Sequence, residues 1–586
     1  MRKLPLVLIG VASIAVAAPA VAGPVEDFHQ LQTDYWKARL KDSPRLATVA
    51  GVTTYDAQLD ELSLAAMDRE AAQAAAFLSR LNAIPQGALG IGERTSYAIL
   101  ERSLQNAIES NRFGARQMLF STLGSAHDSY AGIGETQPFR TNADYENYLE
   151  RIAAVPDRMR SYGEISVKAA SEGFVQPCVT MARFPATISG NISADPAKSR
   201  FYAPFAGTRP ATVGQAQWDS LKGRAAALIR DRINPSYRSF EQLYEKQLAS
   251  KCRQSVGASA LPQGKEYYAY LVRDYTTTDM TPEQIHQLGL SEVARIRAEM
   301  ETVAKTAGFA SREAMIADMR SNPKWYVQTP EELLQATAIQ AKTIDGKMPS
   351  LFNRLPRLPY GIRPMAAATA PGDTTARYQR GSPDAGIAGF YLVNTTKLDQ
   401  RPLWEIPALT VHEAVPGHHM QIATQQELEM PSWRKYGTYF TAFSEGWGLY
   451  SERLGIEMGI YDTPQKDMGR LGYEMWRASR LVVDTGIHSK GWSKDRAVAF
   501  MKDNTTLTDA NVDAEVNRYI SNPGQALAYK IGELKIRELR TKAERELGDK
   551  FDLRRFHDAV LGQGAVPLDA LEAQITAWIA AERTRS

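Results

Sequence analysis

A histidine–glutamate pair followed at once by proline, glycine and two more histidines sets the hardest local constraint in this 586-residue chain: His412-Glu413-Ala414-Val415-Pro416-Gly417-His418-His419. Histidines occur at 29, 127, 286, 412, 418, 419, 488 and 557, so three of the eight fall within eight residues. The preceding Trp404–Val411 is apolar and helix-compatible, which predicts a buried helix leading into the cluster. On an unbroken helix His418 would lie roughly 9 Å from His412 along the axis and on another face, and His419 would regain the face at roughly 10 Å. Pro416, however, has no N–H for the carbonyl of His412, and its ring collides with that carbonyl. Gly417 then permits unusual backbone angles. If Pro-Gly bulges out, the remaining order is His412-Glu413-Ala414-Val415-His418. That is the spacing at which two imidazoles share a helix face around zinc while the glutamate works on water. The geometry favours His418 over His419 as the second ligand.

A catalytic zinc site needs a third protein ligand and an open position. Ser444-Glu445-Gly446-Trp447-Gly448-Leu449-Tyr450-Ser451-Glu452 supplies two carboxylates seven residues apart in an apolar, aromatic stretch. Carboxylates are rarely buried unpaired, so a cation is a sensible partner. Glu445 is the preferred ligand. Glu452 is its substitute, or the acceptor for a histidine N–H.

Around this centre the long segments read as helices, giving a mainly α fold: Glu61–Leu81, Thr281–Ala304, Pro330–Asp345, Glu474–Thr485 and Ala526–Leu547. Thr281-Pro-Glu-Gln284 and Thr329-Pro-Glu-Glu332 carry the capping pattern of threonine, then proline, then a side chain that reaches back. The best strand is Gly389-Phe-Tyr-Leu-Val-Asn394. If it forms a sheet edge, an extended peptide could add there, with Tyr391 and Asn394 as candidate substrate contacts. The polar passage Cys252–Lys265 suggests an N-terminal helical part, 23–255, and a C-terminal part, 256–586, which could also be one continuous body.

Residues 1–22 read as a leader rather than as fold. Arg2 and Lys3 precede an apolar stretch, and Ala20-Val21-Ala22 predicts cleavage before Gly23. No later stretch approaches the roughly 20 apolar residues of a membrane span. The expected product is periplasmic or secreted, with no stable membrane insertion. Formal charge is +3, which gives no footprint for nucleic acid. Cys178 and Cys252 are the only cysteines. They could pair in an oxidising compartment, but they lie too far from the histidines for a C-x-x-C zinc site.

His412–His419, with Gly389–Asn394 before it and Ser444-Glu-Gly-Trp447 after it, resembles the bacterial family called domain of unknown function 885. Arg480-Leu-Val-Val-Asp-Thr-Gly-Ile-His488 with Gly491-Trp492, and Arg518-Tyr519-Ile-Ser-Asn-Pro-Gly-Gln-Ala-Leu-Ala-Tyr529, extend the likeness over residues 265–535. That family is distantly similar to helical gluzincins such as carboxypeptidase Taq and angiotensin-converting enzyme. The resemblance implies a gluzincin-like helical bundle, a deep cleft between two halves, a small β element and Zn2+ at the cleft floor. It further implies a peptide substrate, Glu413 as general base, and a late His and Tyr as oxyanion donors, for which His488 and Tyr529 are the candidates. His488 could instead pair with Asp484 one helical turn away. Arg518 could bind a substrate carboxylate or close an ion pair. Two rival classes remain open: a zinc amidase or esterase on non-peptide substrates, and a non-catalytic exported binding protein.

Overall fold

The computed structural model describes residues 23–120, 125–365, 370, 374–383 and 386–585. The leader expected at 1–22 lies outside them. The chain is mainly α-helical with one small sheet. The elements that position the candidate site are, in chain order, α1 (Ile91–Asn111), α2 (Gly264–Thr276), α3 (Pro282–Thr306), α4 (Pro330–Asp345), strands β1 (Tyr360–Pro364), β2 (Ala376–Gln379) and β3 (Gly389–Val393), then α5 (Ile406–Glu413), α6 (His418–Glu427), α7 (Thr441–Leu454), α8 (Pro464–His488), α9 (Asp509–Ser521), α10 (Ala528–Leu547) and α11 (Leu568–Thr584).

Local chemistry sets several of these boundaries. The Thr281 and Thr329 hydroxyls accept from the backbone N–H three residues on, while Gln284 and Glu332 return the bond to the cap, with proline in the first turn. Each box satisfies two backbone donors that the first turn leaves idle. Ser63 caps the helix Leu64–Asn82 in the same way, through Ala66 N. The long helix α8 contains the expected segment Glu474–Thr485 and starts ten residues earlier, where Thr463 caps it.

The sheet order is β1-β3-β2, with β1 parallel and β2 antiparallel to β3. Strand β3 is thus central and paired on both sides. Of the two arrangements the sequence leaves open, an edge or a paired, buried strand, the structure has the second, and β1 and β2 are too short and irregular in sequence to be anticipated. One face of the sheet packs through Ala376, Tyr391 and Val393 against Ile406, Ala408, Leu409 and Ala414 of α5 and its end. Every residue of α5 is buried, as in a helix sandwiched between layers, and its polar members Thr410, His412 and Glu413 come only in its second half.

One hydrophobic core joins residues from both sides of the Cys252–Lys265 passage: Phe28, Leu81, Tyr97 and Leu100 lie in the same cluster as Tyr268, Trp447, Leu539 and Ile579. A second core runs from Leu59 to Leu248. Cys178 and Cys252 form a disulfide, next to a bridge between Pro177 and Arg253. Among the described residues no helix is long and apolar enough to cross a membrane.

Buried charge also fixes helix positions. Lys530 of α10 is fully buried, and its ammonium lies 3.1 Å from Glu292 of α3, 2.9 Å from Glu474 of α8 and 2.9 Å from Glu533. A buried cation is tolerable only with such partners. Satisfied by three carboxylates, it holds α10 to α3 and α8 and so sets the height of its neighbour Tyr529.

Candidate metal centre

Helix α5 ends where the sequence says it must. The last regular bond runs from Ala414 N to Thr410 O at 2.9 Å, and the chain then turns through a cis Val415–Pro416 peptide before α6 begins at His418. A Cβ on Gly417 would stand 2.0 Å from His412 O and 2.4 Å from Val411 O, so only glycine lets the excursion fold back over the end of α5. The indole of Trp447 donates to Pro416 O at 2.7 Å and pins the excursion to α7. Trp447 is fully buried, and truncating such a side chain costs about 3–5 kcal/mol.

This excursion brings His412 and His418 together. Their rings lie 4.7 Å apart between centroids and nearly perpendicular. Glu445 of α7 completes the group: its Oε2 is 3.7 Å from His412 Nε2 and 3.4 Å from His418 Nε2. All three donor atoms lie within 4.8 Å of one another. Zinc bonds of 2.0–2.2 Å in a tetrahedron separate donors by about 3.3–3.6 Å, so this donor set fits a divalent cation of that size with little adjustment. The His412 side chain is 4% exposed, whereas those of His418 and Glu445 are 12% and 13% exposed. The group is thus closed on the α5 side and reachable on the other, which leaves room for an exchangeable position.

The remaining nitrogen of His412 is held from behind. Its Nδ1–H donates to Glu452 Oε1 at 2.8 Å, and Arg477 Nη2 approaches the same oxygen at 3.2 Å. Glu452 therefore takes the histidine-partner role of the two open to it, leaving Nε2 to face Glu445. Gly448 makes room for the ring, since a Cβ there would meet His412 Cε1 at 2.8 Å. Burial pushes the His412 pKa down, but the carboxylates of Glu445 and Glu452 outweigh it and raise it to about 9. Burial likewise works against ionised Glu445, yet the two imidazoles hold its carboxyl well below the ordinary range. The two imidazoles and the carboxylate are already polarised toward one another.

Glu413 follows the first histidine. Its carboxylate makes no hydrogen bond among the described residues and is 8% exposed. His419 turns the opposite way. Its Nε2–H donates to Leu358 O at 3.0 Å, and its Nδ1 accepts from Tyr378 OH at 2.9 Å, which ties α6 to the sheet. Burial depresses its pKa to about 4, so it is a neutral anchor.

The other candidates separate. Tyr529 lies within electrostatic range of Glu445, its ring stacked 4.2 Å from the Arg480 guanidinium. His488 is fully buried with both ring nitrogens used by main chain: Ala258 N donates to Nδ1 at 2.9 Å and Nε2–H donates to Tyr519 O at 3.0 Å. It has no nitrogen to offer an oxyanion, and that expectation is corrected. Asp484, its expected partner, instead accepts from Tyr268 OH at 2.6 Å and from Gly524 N. Arg518 forms a two-pronged pair with Glu515, at 3.1 and 2.8 Å, and donates to Gln525 at 2.6 Å. It closes a buried ion pair. Tyr391 is 1% exposed and Asn394 is fully buried, the latter donating to Ala370 O and Thr374 O. Both serve the sheet and are withdrawn as substrate contacts.

Two residues near the centre escape sequence reasoning. The Tyr439 hydroxyl is 3.5 Å from Glu445 Oε1, and its side chain is well exposed. Arg380, just after β2, lies within electrostatic range of Tyr439. The only available signal was the aromatic run Tyr436, Tyr439, Phe440 directly before Ser444-Glu445.

Fold and site together define a mainly α protein with a two-histidine, one-glutamate group able to hold a metal ion. The chain belongs to the bacterial family of unknown function DUF885, whose profile matches residues 44–575. A comparison with curated proteins gave no match. Among solved structures it is similar to a candidate lipoprotein from Colwellia psychrerythraea, with 26% identity, a TM-score of 0.90, and 96% of this chain and 100% of that one covered. A candidate lipoprotein of unknown function from Shewanella oneidensis shares the fold at 18% identity and a TM-score of 0.71, with 95% and 100% covered.

Proposed function

We propose that this chain is an exported zinc-dependent peptidase. The observation that carries the reading is the convergence of His412, His418 and Glu445 beside an unpartnered Glu413, with His412 held from behind by Glu452. Two imidazoles and a carboxylate are the ligand set of helical zinc hydrolases, and the partly exposed side of the group leaves a position for substrate. Zinc held there would supply Lewis acidity toward the scissile carbonyl and toward water.

The chain's own residues perform the proton chemistry. Glu413, one residue past the first ligand, takes a proton from the attacking water and returns it to the leaving nitrogen. Tyr529 is the candidate donor to the oxyanion that develops on the carbonyl. Arg480 beneath its ring fixes its orientation. The resemblance to gluzincins favours a peptide among possible amides.

Export rests on the leader pattern at 1–22, on a disulfide between the only two cysteines, and on the likeness to candidate lipoproteins.

The test is hydrolysis of a mixed peptide library by zinc-loaded wild type and by Glu413→Gln. Loss of a general base costs about 10²–10⁴-fold in rate. The variant should keep its metal and lose turnover by that factor. Equal turnover in both proteins, or cleavage confined to non-peptide amides, contradicts the reading.

A further inference from the structure

The cations around the metal group are neutralised one by one. Arg477 faces Glu452 at 3.2 Å, and Arg480 and Arg518 share Glu515 at 3.1 and 2.8 Å. Arg380 breaks the pattern. It is half-buried, and among the described residues the charged or titratable groups that act on it are three tyrosines, Tyr378, Tyr439 and Tyr436, with no carboxylate among them. Burial lowers its pKa, as expected of a desolvated cation.

Its position is built rather than incidental. Arg380 directly follows β2, the strand that pairs on one side only among the described residues. Before it, Tyr378 OH donates to His419 Nδ1 at 2.9 Å. After it, Gly381 O accepts from Gln426 Nε2 at 3.0 Å. Both anchors stand on α6, the helix that carries His418, so the chain on either side of Arg380 is tied to the same helix as the metal group. Its neighbour Tyr439 reaches to within 3.5 Å of Glu445. A half-buried guanidinium with no anionic partner among the described residues is costly to maintain, and its planar fork matches a carboxylate through two parallel N–H···O bonds.

We propose that Arg380 is an anion subsite beside the metal centre that binds a carboxylate of the substrate, with Tyr439 and Tyr436 hydroxyls lining it. This rests on the peptidase reading and narrows it to peptides that present a carboxylate near the scissile bond. The carboxylate has two sources, a free C-terminus or an acidic side chain. A single guanidinium favours a monoanion in either case.

The experiment measures kcat/KM of the zinc-loaded full chain on matched pairs. One pair is acetyl-Ala-Ala-Phe as free acid and as amide. The other is a blocked, amidated pentapeptide with Glu or Gln at each position in turn. A charge-assisted bidentate bond predicts a preference of about ten- to a hundredfold for the charged member of one pair, and which pair responds names the source. In Arg380→Ala the ratio falls to about one. In Arg380→Lys, which keeps charge but not the fork, it is intermediate. A ratio near one in wild type, which needs no variant, overturns the inference. So does a ratio that survives in Arg380→Ala. Calorimetry of the same acid and amide on Glu413→Gln separates the two readings. Tighter binding of the acid, lost on adding Arg380→Ala, upholds the subsite even if no peptide is cleaved, whereas cleavage indifferent to the carboxylate upholds the peptidase and removes the subsite.

Discussion

His412 sits between two carboxylates, and that position decides when the centre can take a metal. In the metal-free protein Glu445 and Glu452 raise its pKa to about 9, against an ordinary value of 6.5. The stabilisation from this proton is therefore fully present below about 6.5 and fades as pH rises through 9. A metal needs the neutral imidazole, so zinc must displace that proton. Zinc affinity, measured by competition with a chelator between pH 7 and 9, should climb about tenfold per unit. In Glu452→Gln the slope should move to lower pH while affinity drops about 10- to 100-fold, as for other partners that orient a ligand histidine. A flat pH profile in wild type would contradict this account of His412. Residue chemistry also explains which candidates sequence could identify. His412, Glu413, His418 and Glu445 announce themselves because each is a charged or metal-competent group in an apolar setting. His488 looked equally competent, but its partners, Ala258 N and Tyr519 O, are main-chain groups that no side-chain pattern reveals.

At the scale of elements, the break between α5 and α6 is the decisive local structure. It was legible because Pro416 cannot donate and Gly417 can approach, and the structure shows the second point as a 2.0 Å conflict with His412 O for any Cβ. Gly417→Ala should push the excursion off the end of α5, part the two imidazoles and abolish zinc binding, with a fall in Tm. Metal analysis and calorimetry check it together, and full zinc occupancy in this variant would show the backbone path to be irrelevant. The capped helices were legible for a related reason. Thr281 with Gln284 and Thr329 with Glu332 carry their end signals within four residues. The sheet was not, because β1 and β2 are five and four residues long and gain their stability from β3 and α5 rather than from their own pattern.

For the whole molecule, the polar passage at Cys252–Lys265 is a poor guide to what folds together. Phe28, Leu81, Tyr97 and Leu100 share a core with Trp447, Leu539 and Ile579. Trp433 Nε1 donates to Gln32 Oε1 at 3.0 Å, and Arg434 donates to Ser96 Oγ at 3.1 Å, across more than 300 residues of chain. Residues 256–586 expressed alone would leave that core face open to water. The fragment should lack a cooperative thermal transition and bind no stoichiometric zinc, whereas a sharp transition with bound metal would establish an independent unit. Composition and hydrophobic period made the mainly α class readable. Long-range pairing of this kind carries no local mark.

The most direct measurement of the central claim is zinc content per chain in wild type beside His412→Ala, His418→Ala, Glu445→Ala and His419→Ala. The geometry predicts about one zinc in wild type and in His419→Ala, whose imidazole is committed to Leu358 O and Tyr378, and little or none in the other three. A wild-type protein that takes up no zinc, or a His419→Ala variant that alone loses it, would contradict the account.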